Sequence, residues 1–373
     1  MRGLVEAALG SLAPTIVFAV VLSWGAYPGE IPVSDPRPIK SVPGQPVFFE
    51  ALGPDSLITY SHERVALVDT SGDQPTIKKY ALPKGVWDFQ VCFWSRSVVI
   101  VGLWEIANAG RQAVLVYDFE KKATLKRTDL PKGFGLCALA ASRPRNLVAW
   151  TEFHHYQEAP PVLRVNAVDG EDRLKALPLE LDDKYQRVDH LTFSPDGSLL
   201  AMGCNAGCGG VGVIDVRALK VLWRKRRNGG LGSITFGPDG SRFYATGEGG
   251  IVCYDAKDGT VLSKLPDQPE MPAYDASALT PDGEFILAGW NLYHCVDIWR
   301  VKDWKLVSRI RGAPGLNTLA LLPSPDGKAF WAGDIVRKGS LDLVAMPEDV
   351  RAAPQPPPPS GDGGSKVEKN EKR

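Results

Sequence analysis

HLTFSPDGSLL, His190–Leu200, decides the fold because the chain writes it again three times. It returns as SITFGPDGSRF at Ser233–Phe243, SALTPDGEFIL at Ser277–Leu287 and LLPSPDGKAF at Leu321–Phe330. The prolines Pro195, Pro238, Pro281 and Pro325 stand 43, 43 and 44 residues apart. Each copy is an apolar strand, a Pro-Asp-Gly turn and a second apolar strand. Proline presets φ at the second position of a type I turn, aspartate can bond its local backbone, and glycine supplies the left-handed residue that closes the hairpin. A period in the forties built on such hairpins is the signature of a four-stranded propeller blade.

The pattern continues backwards in weaker form. ALAASRPRNLVAW (Ala138–Trp150) places Pro144 in the proline slot, VCFWSRSVVIV places Arg96 there, and FFEALGPDSLITY places Pro54 there. The series 54, 96, 144, 195, 238, 281, 325 predicts seven blades. A second marker agrees. Each third strand ends in an apolar residue followed by a polar one: Val68-Asp69, Tyr117-Asp118, Val165-Asn166, Ile214-Asp215, Tyr254-Asp255 and Trp299-Arg300.

That dipeptide stands where WD40 repeats carry Trp-Asp, so residues 43–351 resemble the WD40 and related Pro-Asp-Gly propellers of bacteria. The resemblance implies an all-β, seven-bladed β-propeller of four-stranded antiparallel blades. Only Trp299 is a tryptophan at that position, its partner is Arg300, and no Gly-His pair precedes the blades. The His-mediated network of WD40 blades is therefore not expected here. The seventh blade runs out of chain near Pro347 with three strands, and PRPIKSV (Pro36–Val42) sits where a fourth belongs. This N-terminal strand is expected to pair with Leu341–Met346 and close the last blade, covering an edge; the alternative is Asp349–Ala353.

At the ends the composition changes. Leu12–Trp24 (LAPTIVFAVVLSW) matches the apolar core of a signal peptide, with Ser23 and Gly25 at −3 and −1 of a cut before Ala26. Residues 1–26 thus read as a signal peptide or an N-terminal membrane anchor, and the propeller as extracytoplasmic, periplasmic or membrane-anchored. A cytoplasmic propeller follows if the segment is not a true signal. Residues 27–42 are a Pro-rich linker and closing strand, 43–352 the propeller, and 353–373 (ending PQPPPPSGDGGSKVEKNEKR) a disordered Pro-rich and charged tail.

The 43 basic and 43 acidic residues cancel, which excludes the basic surplus of a nucleic-acid binder. No nucleophile elbow, Walker loop or metalloprotease helix appears in a suitable context, and no cofactor or metal is implied. The basic run Arg224–Arg227 reads as a solvated strand edge. Cys204 and Cys208 bracket Asn-Ala-Gly and could form a disulfide in an exported protein or stay as thiols. Two functions remain. The favoured one is an exported non-catalytic scaffold, a monomeric ring holding a protein or a small ligand. The alternative is a propeller enzyme, lactonase-like or quinone-dependent, drawing on carboxylates such as Glu105, Glu152, Glu158, Glu248 and Asp334 at the central channel.

Loops alternate between the two sides of a propeller. The Pro-Asp-Gly turns and third-to-fourth-strand turns share one side and are short. The second-to-third-strand loops and blade connectors share the other and are long and individual. Recognition by Trp104, Glu105, His154, His155, Tyr156, Tyr185, Trp290 and Tyr293 is expected there, with EFHHYQEAPP (Glu152–Pro161) as the first choice.

Overall fold

The computed structural model describes residues 33–34, 38–43, 48–53, 55–61, 64–72, 74–83, 86–105, 111–154, 159–170, 174–180, 187–204, 210–227, 229–265, 273–290, 295–311, 321–333 and 340–351, all within the compact unit Pro32–Arg373. They form seven sheets, each with four antiparallel strands, arranged as a ring. We name the strands of each blade a to d, from the axis outward. Blade 1 is Phe48–Gly53, Ser56–Ser61, Arg64–Asp69 and Thr76–Ala81. Blade 2 is Val86–Phe93, Val98–Glu105, Arg111–Asp118 and Ala123–Asp129. Blade 3 is Phe134–Ser142, Leu147–His154, Val162–Ala167 and Lys175–Pro178. Blade 4 is Val188–Phe193, Leu199–Cys204, Gly210–Asp215 and Lys220–Arg226. Blade 5 is Leu231–Phe236, Arg242–Gly247, Gly250–Asp255 and Val261–Lys264. Blade 6 is Ala276–Leu279, Phe285–Trp290, Cys295–Arg300 and Lys305–Arg311.

Blade 7 takes strands a to c from Leu321–Pro323, Ala329–Gly333 and Ser340–Ala345. Its strand d is Pro38–Pro43, antiparallel to Ser340–Ala345 with Ser41 opposite Asp342. The N-terminal closure is therefore as expected; Glu348–Arg351 is a four-residue helix. Val33–Ser34 adds an unexpected fifth strand, parallel to strand d of blade 6 through Val33–Arg309 and Ser34–Ile310 pairs. The N-terminal thread thus joins the outer edges of both last blades.

The turn chemistry explains the repeat. In the four Pro-Asp-Gly turns the glycine N–H donates three residues back, to Ser194, Gly237, Thr280 and Ser324 carbonyls at 2.8–3.0 Å. Each glycine has φ between 68° and 72°. The aspartate Oδ1 accepts the N–H two residues on, from Ser198, Ser241, Glu284 and Lys328, at 2.9–3.0 Å. Neighbouring turns also touch: a Cβ on Gly283 would sit 3.1 Å from the Pro238 ring of the previous blade. The motif is fixed by its own turn and by the next one round the ring.

The polar half of the second marker has an equally local cause. Asp69, Asp118, Asp215 and Asp255 end strand c, and each Oδ1 accepts an N–H of the following turn, from Ser71, Lys121, Ala218 and Lys257, at 2.7–2.9 Å. Where blade 6 has Arg300, Asp303 takes over by accepting the Lys305 N–H and two N–H groups of Arg300, from Nε and one terminal nitrogen.

Seven apolar clusters fill the seven gaps between blades. Val99 and Val101 of strand b in blade 2 pack toward blade 1 with Ile58 and Tyr60, while Ile100 between them packs toward blade 3 with Trp150. Alternation thus places both faces of a central strand in a core, which is why VVIVGLW is apolar throughout. Among the described residues no helix is long and apolar enough to cross a membrane.

Candidate functional site

Of the expected recognition residues, Trp104, Glu105, His154 and Trp290 fall at the strand b ends of blades 2, 3 and 6. Trp104 and Glu105 close strand b of blade 2, opposite Gln112 and Arg111. His154 closes strand b of blade 3, half-buried, its ring edge-on to Phe134 at 5.0 Å. Trp290 is a correction. It is only 8% exposed and belongs to the core between blades 5 and 6, against Tyr274 and under the Arg309 guanidinium, so it is no surface anchor. His155, Tyr156, Tyr185 and Tyr293 lie outside the described residues, as do residues 1–31 and Cys208. Cys204 ends strand b of blade 4, buried in the cluster shared with blade 3.

Of the carboxylates available to a channel enzyme, the two described ones, Glu152 and Glu248, are each bound locally. Glu152 is 2% exposed and bound within blade 3, accepting from Trp150 Nε1 at 2.9 Å and Arg164 Nε at 3.2 Å. Glu248 lies on the exposed two-residue b–c turn of blade 5 and accepts the Gly230 N–H at 3.0 Å. Glu158 and Asp334 lie outside the described residues, as does the side chain of Glu105.

The basic run also reads differently in three dimensions. Lys225 and Arg226 are exposed, but Arg227 is buried, donating to the Thr246, Glu248 and Gly250 carbonyls at 2.8–3.1 Å. It locks the blade 5 b–c turn to the connector before that blade.

Two polar clusters escaped the sequence. In blade 6, Asp297 accepts Arg309 Nε at 2.6 Å, Arg309 NH2 at 2.7 Å and the Tyr274 hydroxyl at 2.8 Å, and that hydroxyl accepts Trp299 Nε1 at 3.0 Å. Burial and the Asp297 carboxylate hold the Tyr274 hydroxyl protonated. Tyr274 lies in the connector leading into blade 6, so the network ties that connector to strands c and d of the blade. The signal was a charge inside an apolar strand, CVDIWR.

The second cluster lies at the channel mouth on the short-turn side. Strand a of blades 1 and 2 and the a–b turns of blades 3 and 4 surround a cavity of about 440 Å³. Glu50 and Arg143 meet there at 2.5 Å. Burial outweighs the guanidinium and raises the Glu50 pKa. Cys92 donates its thiol to the Leu139 carbonyl at 3.5 Å, and burial pushes its pKa up to about 12, so it offers no thiolate. Among the described residues no cluster of three His, Cys, Asp or Glu side chains is placed to hold a metal ion.

No family model and no curated protein matches the chain. Solved structures do. The β-propeller domain of Cps50 (Swd1) from Myceliophteria thermophila superposes with a TM-score of 0.65 at 14% identity, covering 84% of this chain and 100% of that one. A chain of the Mitotic Checkpoint Complex gives 0.65 at 14% identity, covering 88% and 98%. At such identities the likeness speaks for architecture alone: this chain is a seven-bladed β-propeller of four-stranded blades.

Proposed function

We propose that the chain is an exported, non-catalytic scaffold that holds a protein partner against the side of the ring bearing the b–c loops and blade connectors. One observation carries the reading: the three longest connections between strands, all blade connectors, lie on this side. The strand bounds leave 155–161 and 334–339 as b–c loops and 179–187, 265–275 and 312–320 as connectors. The a–b turns are confined to short spans such as 194–198 and 237–241. A stiff ring with variable loops on one side is the usual arrangement for recognition. One structural relative carries the word complex in its description, which agrees with a partner that is itself a protein.

The test is to replace residues 155–158 with a two-residue Gly-containing turn, keeping Phe153 and His154 because they belong to strand b. Proteins cross-linked to the chain in its native compartment are then compared with wild type. Loss of specific partners at an unchanged melting temperature supports the reading; the same partners in the same yield, with parallel replacement of 181–186 also silent, overturns it. Export is tested separately, by fusing Met1–Glu30 to a reporter active only outside the cytoplasm; an expressed but silent fusion places the ring inside.

A further inference from the structure

The channel mouth on the short-turn side joins an apolar wall to one polar pair. Phe49, Val91, Phe93, Pro144, Phe193 and Pro195 bound the cavity, whose size lies within the range of small-ligand sites. Arg143 is fixed in place. Its Nε donates to the Trp94 carbonyl at 2.8 Å and its NH2 to the Phe93 carbonyl at 2.9 Å, so the guanidinium is tied to the end of blade 2 strand a. Among the described residues, Glu50 is engaged only through Oε1, at Arg143 NH2. Among the described residues, Oε2 of Glu50 remains as an acceptor and NH1 of Arg143 as a donor.

The pair is electrically neutral, and that selects its ligand. A cation entering the cavity meets Arg143, and an anion meets Glu50. Either also gives up its hydration in a partly desolvated site. A neutral group with a donor and an acceptor side by side meets neither obstacle and satisfies both remaining atoms. The N–H and C=O of one residue in an extended peptide are such a group, because both point to the same side of the strand. The aromatic and proline wall suits an apolar side chain next to it.

We propose that this mouth is a second binding site, for an extended peptide segment whose apolar side chain enters the cavity while that same residue's own N–H and C=O bridge the pair, the N–H donating to Glu50 Oε2 and the carbonyl accepting from Arg143 NH1. The site lies on the opposite side from the long loops and stands or falls independently of them.

The full chain is titrated by calorimetry and ligand-observed NMR with three probes sharing a phenyl ring: N-acetylphenylalaninamide, 3-phenylpropionate and phenethylammonium. The amide is expected to bind at least tenfold tighter than either charged probe. Glu50→Ala should weaken it at least tenfold, whereas the 155–158 replacement should leave it unchanged. Equal binding of the three probes, preference for a charged one, or full amide affinity in folded Glu50→Ala overturns the proposal. If Glu50→Ala does not fold, the probe ranking on the wild-type chain decides alone.

Discussion

Asp297 and Arg309 face each other across strands c and d of blade 6 as a buried, two-pronged ion pair, with 0% and 9% of their surfaces exposed. Removing the carboxylate alone leaves a guanidinium in the core without its counter-charge, which costs about 3–5 kcal/mol. Asp297→Ala should lose that much in urea unfolding. Asp297→Ala combined with Arg309→Met should recover part of it, because no charge is then stranded. A single variant as stable as wild type would show that the pair is not sequestered.

Gly170 and Gly259 occupy the same place in the c–d turns of blades 3 and 5, with φ of 79° and 73°. A Cβ on Gly170 meets nothing within 4 Å, whereas one on Gly259 would lie 2.5 Å from the Trp223 indole. Gly170→Ala should therefore cost only the left-handed backbone term, about 1–2 kcal/mol. Gly259→Ala should cost clearly more, with a blue-shifted or broadened Trp223 emission as the indole moves. Equal losses in thermal melts would contradict the packing of Trp223 over that turn.

Truncation separates the two N-terminal strands. Among the described residues, removing 1–36 takes only the Val33–Ser34 pair from blade 6, and the melting temperature should change little. Removing 1–43 also exposes the core around Val42, a loss of about 1.5–3 kcal/mol, and deletes the Ser41 hydroxyl that donates to buried Asp342 at 2.6 Å. The longer deletion should melt several degrees lower. Identical melting of both would mean that the closing strand adds nothing.

His190, on the inner strand of blade 4, has its pKa pulled below the ordinary value by burial, against the opposing effects of Asp189 and a backbone hydrogen bond with Leu231. The folded chain therefore keeps this imidazole neutral where the unfolded chain protonates it. Its contribution to stability is complete above about pH 6.5 and falls as the pH drops from there toward the folded-state value. His190→Gln should lose less stability than wild type between pH 7.5 and 5.5. Parallel pH profiles for the two proteins would refute the assignment.

The ring was legible because its repeats are fixed by chemistry within a few residues. Asp196 caps its own turn, Gly197 turns left-handed, and Asp215 holds the next turn, each visible as a letter at a set spacing. The closing strand was legible by subtraction, since blade 7 lacked one. What stayed hidden depends on partners distant in the chain. Glu50 and Arg143 come from blades 1 and 3, and no period links them. Trp290 looked like a loop anchor because a central strand buried on both faces gives no phase by which to tell inside from outside. Arg227 looked solvated among its basic neighbours because the three carbonyls that claim it lie in the next blade. A two-residue parallel strand such as Val33–Ser34 has no periodicity at all.

The bond from Ser41 to Asp342 spans 301 positions, and this sets an order of events during synthesis. At roughly 5–20 residues per second, Ser41 leaves the ribosome about 15–60 s before its partner. Throughout that interval Pro38–Pro43 is a strand without a sheet. Blades 1 to 6 must form as an open arc whose first blade has no neighbour on one side. Joining the ends then costs on the order of 5 kcal/mol of chain entropy if the arc is still loose, and far less if the finished blades already hold the two ends together. The nascent arc, with Leu57 and Val68 facing a gap that Trp331 and Leu341 have yet to fill, is the stage at which this protein most needs protection from other chains.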